Sequence, residues 1–156
     1  MSSALRFLGI RCELRLPTAD LACARAILDL DENKIKALAD QGLLPTWNIA
    51  CVHPARGAAR IERRFLTRAL RDYAQGRPVT SDEDFIVTLI YGGRKPSILG
   101  SDFCRAWNCD SGHTCNLIRG GSLQLMKGAD YGRGRGHTVK IAWASAIAFL
   151  RNRRIA

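Results

Sequence analysis

Apolar positions within Ile98–Leu125 predict two short helices joined by a tight turn. The apolar residues of each helix lie three and four positions apart, which places them on one face. A polar break at Asn108–Ser111 separates the helices, and its aspartate or serine can cap the second helix by accepting a backbone N–H. Gly120-Gly121 ends that helix, because glycine enters the left-handed conformation without a Cβ clash. The two apolar faces comprise Phe103, Ala106 and Trp107, then Thr114, Leu117 and Ile118.

The residues that follow predict a β-hairpin and a closing helix. Leu123–Lys127 and His137–Ile141 have the composition of strands, and the glycine-rich Gly128–Gly136 between them predicts a loop. Ala142–Arg153 predicts a helix with apolar residues on one side.

The N-terminal half predicts the same order of elements. Leu21–Leu28 and Glu32–Asp40 predict two helices, which Asp20 and Asp31 can cap. The later elements are predicted as a strand at Thr46–Ala50, a loop at Cys51–Ala59, a strand at Arg60-Ile61 and an amphipathic helix at Glu62–Ala74.

Short motifs align the two halves. Gly42-x-Leu44 matches Gly121-x-Leu123 at an offset of 79 positions, and Ala69-Leu70 matches Phe149-Leu150 at an offset of 80. A period this long indicates one duplicated domain rather than a solenoid.

The duplication predicts a first domain at residues 1–75, a linker or interface segment at 76–97 and a second domain at 98–156. The first domain would include an N-terminal strand within Met1–Pro17. In the linker, the apolar run Phe85–Tyr91 is either a buried strand or a helix. The acidic Ser81–Asp84 can cap a helix and therefore favours a helix packed between the two domains, with the acidic residues facing away from a polyanion.

Charge narrows the class of partner. Lys and Arg number 24 against 14 Asp and Glu, a net charge of +10, which favours a polyanion such as nucleic acid. Every apolar run is shorter than the roughly 18 residues of a membrane span, so no membrane partner is predicted. The N-terminal segment differs from a signal peptide, and we expect a cytoplasmic protein whose six cysteines stay reduced.

The run from Ile98 to Ile155 resembles the winged helix-turn-helix domain of the MerR/excisionase superfamily. The matching features are Phe103-Cys104, the turn at Asn108-Cys109, Leu117-Ile118-Arg119, Gly121-x-Leu123 at the entry to the wing, and Phe149-Leu150-Arg151 in the closing helix. The N-terminal half resembles the same superfamily. The resemblance implies an α+β, mainly helical fold of tandem winged helix-turn-helix domains with small β-hairpin wings.

In this superfamily the second helix lies in the major groove of DNA and the wing contacts the backbone or minor groove. The alternative for each helix is an ordinary solvated face. The predicted DNA contacts of the recognition helices are Asn33, Lys34 and Lys36 in the first domain and Ser111, His113, Asn116 and Arg119 in the second. Those of the wings are Arg56 and Arg60 in the first domain and Lys127, Arg133, Arg135, His137 and Lys140 in the second. Arg151, Arg153 and Arg154 would form a phosphate clamp or a frayed tail.

The resemblance implies a sequence-specific double-stranded DNA-binding protein, either a transcriptional regulator or a recombination directionality factor of a mobile element or phage. Protein partners would then be a second copy of the chain, a recombinase or RNA polymerase, on the nucleoid. A DNA-packaging component like a terminase small subunit is an alternative. Another is a non-enzymatic adaptor that docks a partner on Phe85–Tyr91.

Catalysis and metal binding have less support. The sequence lacks a P-loop and a GxGxxG fingerprint, so we expect neither an enzyme nor a cofactor or small-molecule ligand. Cys104, Cys109, His113 and Cys115 have the spacing C-x4-C-x3-H-x-C, which could hold zinc. However, the chain has no C-x2-C pair, and the helical pattern puts Cys104 and Cys115 on apolar faces, so no metal is predicted.

Overall fold

The computed structural model describes residues 15–51, 61–126 and 139–156. Within these ranges seven helices and six short strands form an α+β fold with two antiparallel sheets. No helix in the described ranges combines the length and the apolar content that crossing a bilayer requires. The elements are β1 (Thr18–Ala19), α1 (Leu21–Leu28), α2 (Glu32–Asp40), β2 (Thr46–Asn48), β3 (Arg63–Leu66), α3 (Thr67–Ala74), α4 (Glu83–Tyr91), β4 (Ser97–Leu99), α5 (Gly100–Trp107), α6 (Ser111–Arg119), β5 (Lys140–Ala142), α7 (Trp143–Asn152) and β6 (Arg154–Ile155).

Two pairs of helices, α1–α2 and α5–α6, share the same turn geometry. Asp29 (φ 53°) and Asn108 (φ 49°) end the first helix of each pair in the left-handed conformation. Asp31 and Asp110 then cap the second helix, each accepting the backbone N–H three residues on. These equivalent residues are 79 positions apart, so the helix pair recurs with the period found in the sequence. The predicted bounds of α1 and α2 are confirmed.

Each helix pair is followed by a strand that runs directly into a helix. β3 continues into α3, and β5 continues into α7. The strand before each helix pair lies beside this later strand, with β1 pairing to β3 and β4 pairing to β5. The two halves therefore have the same order of strands and helices around their helix pairs, except that the counterpart of β2 in the second half is a single bridge at Leu125.

The predicted helix over Glu62–Ala74 is wrong in its first part. Residues Arg63–Leu66 form β3, and the helix begins only at Thr67. β3 is the central strand between β1 and β2, so Phe65 and Leu66 are both fully buried although they point to opposite sides. Two neighbouring apolar residues also fit the buried face of a helix, so the sequence pattern alone does not identify a strand. The strand forms because β1 and β2 provide hydrogen-bond partners for its backbone on both sides.

Smaller differences concern the hairpins. The strand predicted at Thr46–Ala50 ends at Asn48. In the described part of the predicted strand Leu123–Lys127, which ends at Met126, a single bridge joins Leu125 to Ile141. The strand predicted at Arg60-Ile61 begins instead at Arg63, and Arg60 lies outside the described residues. The predicted N-terminal strand before residue 15 and the Gly128–Gly136 loop lie outside the described residues.

The cysteines depart from the expectation that all six stay reduced. Cys23 in α1 is disulfide-bonded. Cys51, Cys104, Cys109 and Cys115 are free thiols, and all four are partly exposed.

The two halves share one sheet and the larger of two apolar clusters, while the second cluster, which includes Ile35, Phe65 and Leu70, lies within the first half. β6, near the C-terminus, adds to the first sheet by pairing with β2, which gives the order β1-β3-β2-β6. The Trp47 ring is fully buried, and its Nε1 donates a 2.8 Å hydrogen bond to the carbonyl of Leu150 in α7. Trp47 packs in the same apolar cluster as Trp107 and Phe149. The larger cluster therefore extends across the predicted boundaries at 75 and 97.

The predicted linker helix is confirmed as α4, with Asp82 as its cap. Its buried residues Ile86, Ile90 and Tyr91 belong to the shared core. The Tyr91 hydroxyl donates to the carbonyl of Ala146 at 2.8 Å and accepts from Nε1 of Trp107 at 3.1 Å. Residues 83–91 are thus part of the fold rather than a free connector.

Arg64 of β3 joins the first half to the end of α5. Its Nε donates to the carbonyl of Trp107 at 2.9 Å, and Nη2 donates to the carbonyl of Asn108 at 3.1 Å. The last carbonyls of a helix have no hydrogen-bond donor within the helix. The guanidinium group of Arg64, a residue that is only 8% exposed, donates to them instead.

Replacing Arg64 with methionine should lower the free energy of unfolding by about 1–3 kcal/mol, because it leaves helix-end carbonyls without a donor. Arg63→Met is the matched control: the Arg63 side chain is 10% exposed, like that of Arg64, but it pairs with the 59% exposed Asp40 instead of with helix-end carbonyls. We expect the control to cost less than about 1 kcal/mol. Chemical denaturation of both variants measures the difference, and equal losses would contradict the role given to Arg64.

Candidate functional site

The outer face of α6 is the best-defined polar surface among the predicted contacts. Ser111, Asn116 and Arg119 are exposed, whereas Thr114 and Leu117 on the opposite face are buried. Arg119 lies in the last turn of the helix, where a cation interacts favourably with the helix dipole. The three exposed side chains offer a hydroxyl, an amide and a guanidinium group to a ligand.

His113 is a correction to the predicted surface of α6. Its side chain is only 17% exposed, and Nε2 lies 2.6 Å from the carbonyl oxygen of Ile49, just after β2. Nδ1 lies 3.9 Å from a carboxylate oxygen of Glu62. The histidine therefore points towards the hairpin of the first half rather than outward. It positions α6 against that hairpin.

The outer face of α2 carries balanced charge. Asn33 and Lys34 are exposed, as predicted for an interface. Lys36 is partly exposed and lies 2.6 Å from Glu32, one turn earlier. The hydrogen bond and the charge of Lys36 lower the pKa of Glu32. Of the two lysines of α2, Lys36 therefore pairs with an acid, whereas no ion pair of Lys34 is found within the described residues.

The starts of α2 and α6 border one strip of surface. Ile61–Arg64 separates two shallow grooves, and Glu62 and Arg64 line both of them. The groove on one side is completed by Gly112 and Asn116 of α6, among others. The groove on the other side is completed by Glu32 and Lys36 of α2, together with residues at the start of α1. The two second helices consequently flank the same segment leading into β3.

The remaining predicted contacts divide into two groups. Lys140 is exposed at the start of β5. Arg56, Arg60, Lys127, Arg133, Arg135 and His137, which the sequence assigns to the wings, lie outside the described residues.

The C-terminal arginines have structural partners, so the predicted frayed tail is wrong. Nη1 of Arg153 donates to the carbonyl of Ala50 at 2.6 Å, and Nη2 donates to Oγ of Ser122 at 2.9 Å. The guanidinium of Arg154 lies 5.3 Å from the centre of the Trp47 ring, and Arg151 pairs with Glu83 at 2.6 Å. These groups hold the halves together, a role that the sequence alone did not reveal.

The zinc hypothesis gains no support from the described residues. No three His, Cys, Asp or Glu side chains in those ranges converge closely enough to hold a metal ion. His113 turns towards Ile49, while Cys104 and Cys109 face Thr114.

No protein-family model matches the chain, and neither does any curated protein or solved structure. The case for its function therefore depends on its own sequence and geometry.

Removing either helix cap should destabilise the protein by a similar amount. Asp31→Ala and Asp110→Ala each remove the carboxylate that satisfies a backbone N–H, and each should lower the free energy of unfolding by about 1 kcal/mol. Asparagine at either position keeps the acceptor and should restore most of the loss. Thermal and chemical unfolding of the four variants provides the measurement. Unequal losses, or no rescue by asparagine, would argue against equivalent caps.

Proposed function

We propose that the chain is a double-stranded DNA-binding protein built from two winged helix-turn-helix units. The supporting observation is the recurrence of one helix pair, with the same left-handed turn, aspartate cap and terminal glycine, at a spacing of 79 positions. In each half this pair is enclosed by a strand before it and a strand-then-helix after it. The resemblance to the MerR/excisionase superfamily is consistent with that arrangement.

In this proposal α2 and α6 are the recognition helices. Asn116 and Arg119 are suited to adenine and guanine edges respectively, because each can form two hydrogen bonds to one base. Ser111 and Lys34 lie on the same exposed surfaces, where they would contact bases or phosphates. His113 has no base contact here, since its ring is directed at Ile49.

The basic wings supply the remaining attraction. The net charge of +10 favours binding to the phosphate backbone, and several of the wing arginines and lysines contribute to it. The described surface of α2 is close to neutral, so we expect the non-specific part of the affinity to come mainly from the wings. Changes in the helices should therefore alter base preference, whereas changes in the wings should alter the salt-dependent affinity for any DNA sequence.

Within DNA binding, a transcriptional regulator and a recombination directionality factor suit the architecture equally. A packaging component of a phage is a third possible role. All three place the protein in the cytoplasm, on the nucleoid or on phage DNA.

The adaptor alternative loses its proposed docking surface. Ile86, Ile90 and Tyr91 of α4 are already buried in the chain's own core, and only Phe85 among the large apolar side chains of this helix is well exposed. The guanidinium of Arg68 lies over the Phe85 ring, 5.9 Å from its centre. A partner docking on this helix would have to displace that contact and would find little further apolar surface.

The decisive variants lie on α6. Arg119→Ala should weaken binding to a selected DNA site about 10–100-fold and relax the base preference at one position, because a bidentate base contact contributes about 1–3 kcal/mol. Arg71→Ala is the matched control, since it removes an equal charge from the exposed face of α3. Fluorescence anisotropy with specific and scrambled duplexes measures both effects.

Asn116→Ala should likewise alter preference at a second position, and Asn33→Ala with Lys34→Ala should alter the half-site bound by α2. Equal, uniform weakening by the α6 variants and by Arg71→Ala would mean that charge alone binds DNA. Unchanged affinity in every helix variant would refute the assignment of α2 and α6 as recognition helices.

A further inference from the structure

The turn between α5 and α6 brings two cysteines together. The N–H of Cys109 donates to the carbonyl of Cys104 at 3.0 Å, and the N–H of Asn108 donates to that of Arg105 at 3.4 Å. This pair of hydrogen bonds defines a Schellman motif, in which the side chains at the two outer positions commonly touch. Both outer positions here are cysteines. The equivalent positions in the α1–α2 turn are Arg25 and Leu30, so the thiol pair belongs to the second unit alone.

The sulfur atoms converge on one hydroxyl group. Oγ1 of Thr114 lies 3.1 Å from Sγ of Cys104 and 3.6 Å from Sγ of Cys109. Both cysteines are partly exposed, so a small oxidant can reach them. The main-chain hydrogen bond from residue 109 to residue 104 and the shared hydroxyl bring the two thiols together on adjoining turns, as disulfide formation requires.

We propose that Cys104 and Cys109 are a redox modification site that forms a reversible disulfide when the protein meets hydrogen peroxide. The Cys104 thiolate attacks one peroxide oxygen, so that an S–O bond forms, the O–O bond breaks and hydroxide leaves. The Cys109 sulfur then attacks the sulfenic acid, so that the S–S bond forms and the S–O bond breaks. The thiol protons end in water. Two thiols are oxidised while one peroxide is reduced to two waters.

The electrostatics assigns different roles to the two sulfurs. The hydrogen bond from Cys109 lowers the pKa of Cys104 to about 6, which makes Cys104 largely a thiolate at neutral pH and the first nucleophile. The same hydrogen bond, together with burial, raises the pKa of Cys109, which suits the resolving thiol. Oxidation should therefore slow as the pH falls below about 6. Burial raises the pKa of Cys51, so that cysteine should react more slowly.

The disulfide would also act on α6. Both sulfurs contact Thr114, a fully buried residue in the second turn of that helix, and forming the S–S bond withdraws them from its hydroxyl. This consequence rests on the proposed function, because α6 is the helix assigned to DNA. We expect oxidation to lower specific DNA affinity at least about fivefold, the usual size of coupling between two sites.

Peptide mapping of the full chain tests the site without DNA. Trypsin cuts after Arg105, between the two cysteines, so the disulfide joins the peptides Lys95–Arg105 and Ala106–Arg119. After treatment with equimolar hydrogen peroxide, the joined pair should appear, and dithiothreitol should separate it. Cys109→Ser should abolish it, whereas Cys115→Ser, a matched control in the same peptide, should retain it. Fragment ions between residues 109 and 115 identify the linked cysteine in the unmodified chain as well.

A link through Cys115, overoxidation of Cys104 without any link, or equal oxidation of Cys51 would each overturn the proposal. A second experiment compares the DNA affinity of oxidised and reduced protein, with the same duplex. Unchanged affinity with the link formed would overturn the effect on α6. If the reduced protein binds no DNA, the proposed function is refuted. The presence or absence of the joined peptides still tests the disulfide between Cys104 and Cys109.

Discussion

The ring of Trp107, at the end of α5, is the contact on which the arrangement of the two halves depends. It lies edge-on to Trp47 of the first sheet, with ring centres 5.3 Å apart, and edge-on to Phe149 of α7 at 5.4 Å. Its Nε1 donates to the hydroxyl of Tyr91, and its carbonyl accepts from Arg64. Full burial of so large a side chain against both halves leaves little freedom for either to move alone.

This constraint changes how two recognition helices would work together. Two modules on a flexible tether would gain affinity through effective concentration and would tolerate variable spacing between half-sites. Here β6 completes the first sheet, and His113 holds the start of α6 against the hairpin carbonyl of Ile49. The proposed helices α2 and α6 therefore have a fixed separation, so the spacing of half-sites would be set by the core. The same rigidity explains why a small change at the Cys104–Cys109 turn would affect binding.

The sequence predicted what is determined locally. The caps at Asp31 and Asp110 and the extents of α1 and α2 follow from neighbouring residues, so pattern and capping rules identified them. Features that depend on distant partners were missed. β3 needs strands on both sides, β6 needs β2 about a hundred positions away, and the inward turn of His113 needs a carbonyl 64 positions earlier. Outward-facing Asn116 and Arg119 follow from helical period alone, since no distant element within the described ranges covers them.

The most direct test is to select bound fragments from a random duplex library with the purified chain, at near-physiological salt and with non-specific competitor. Two rigidly held recognition helices predict one enriched motif with two half-sites at a single fixed spacing, roughly one helical turn of DNA apart. Binding that falls steeply with salt and enriches no sequence would contradict it, because the basic charge would then account for the whole affinity. An enriched motif whose half-sites tolerate many spacings would contradict the rigid placement of α2 and α6.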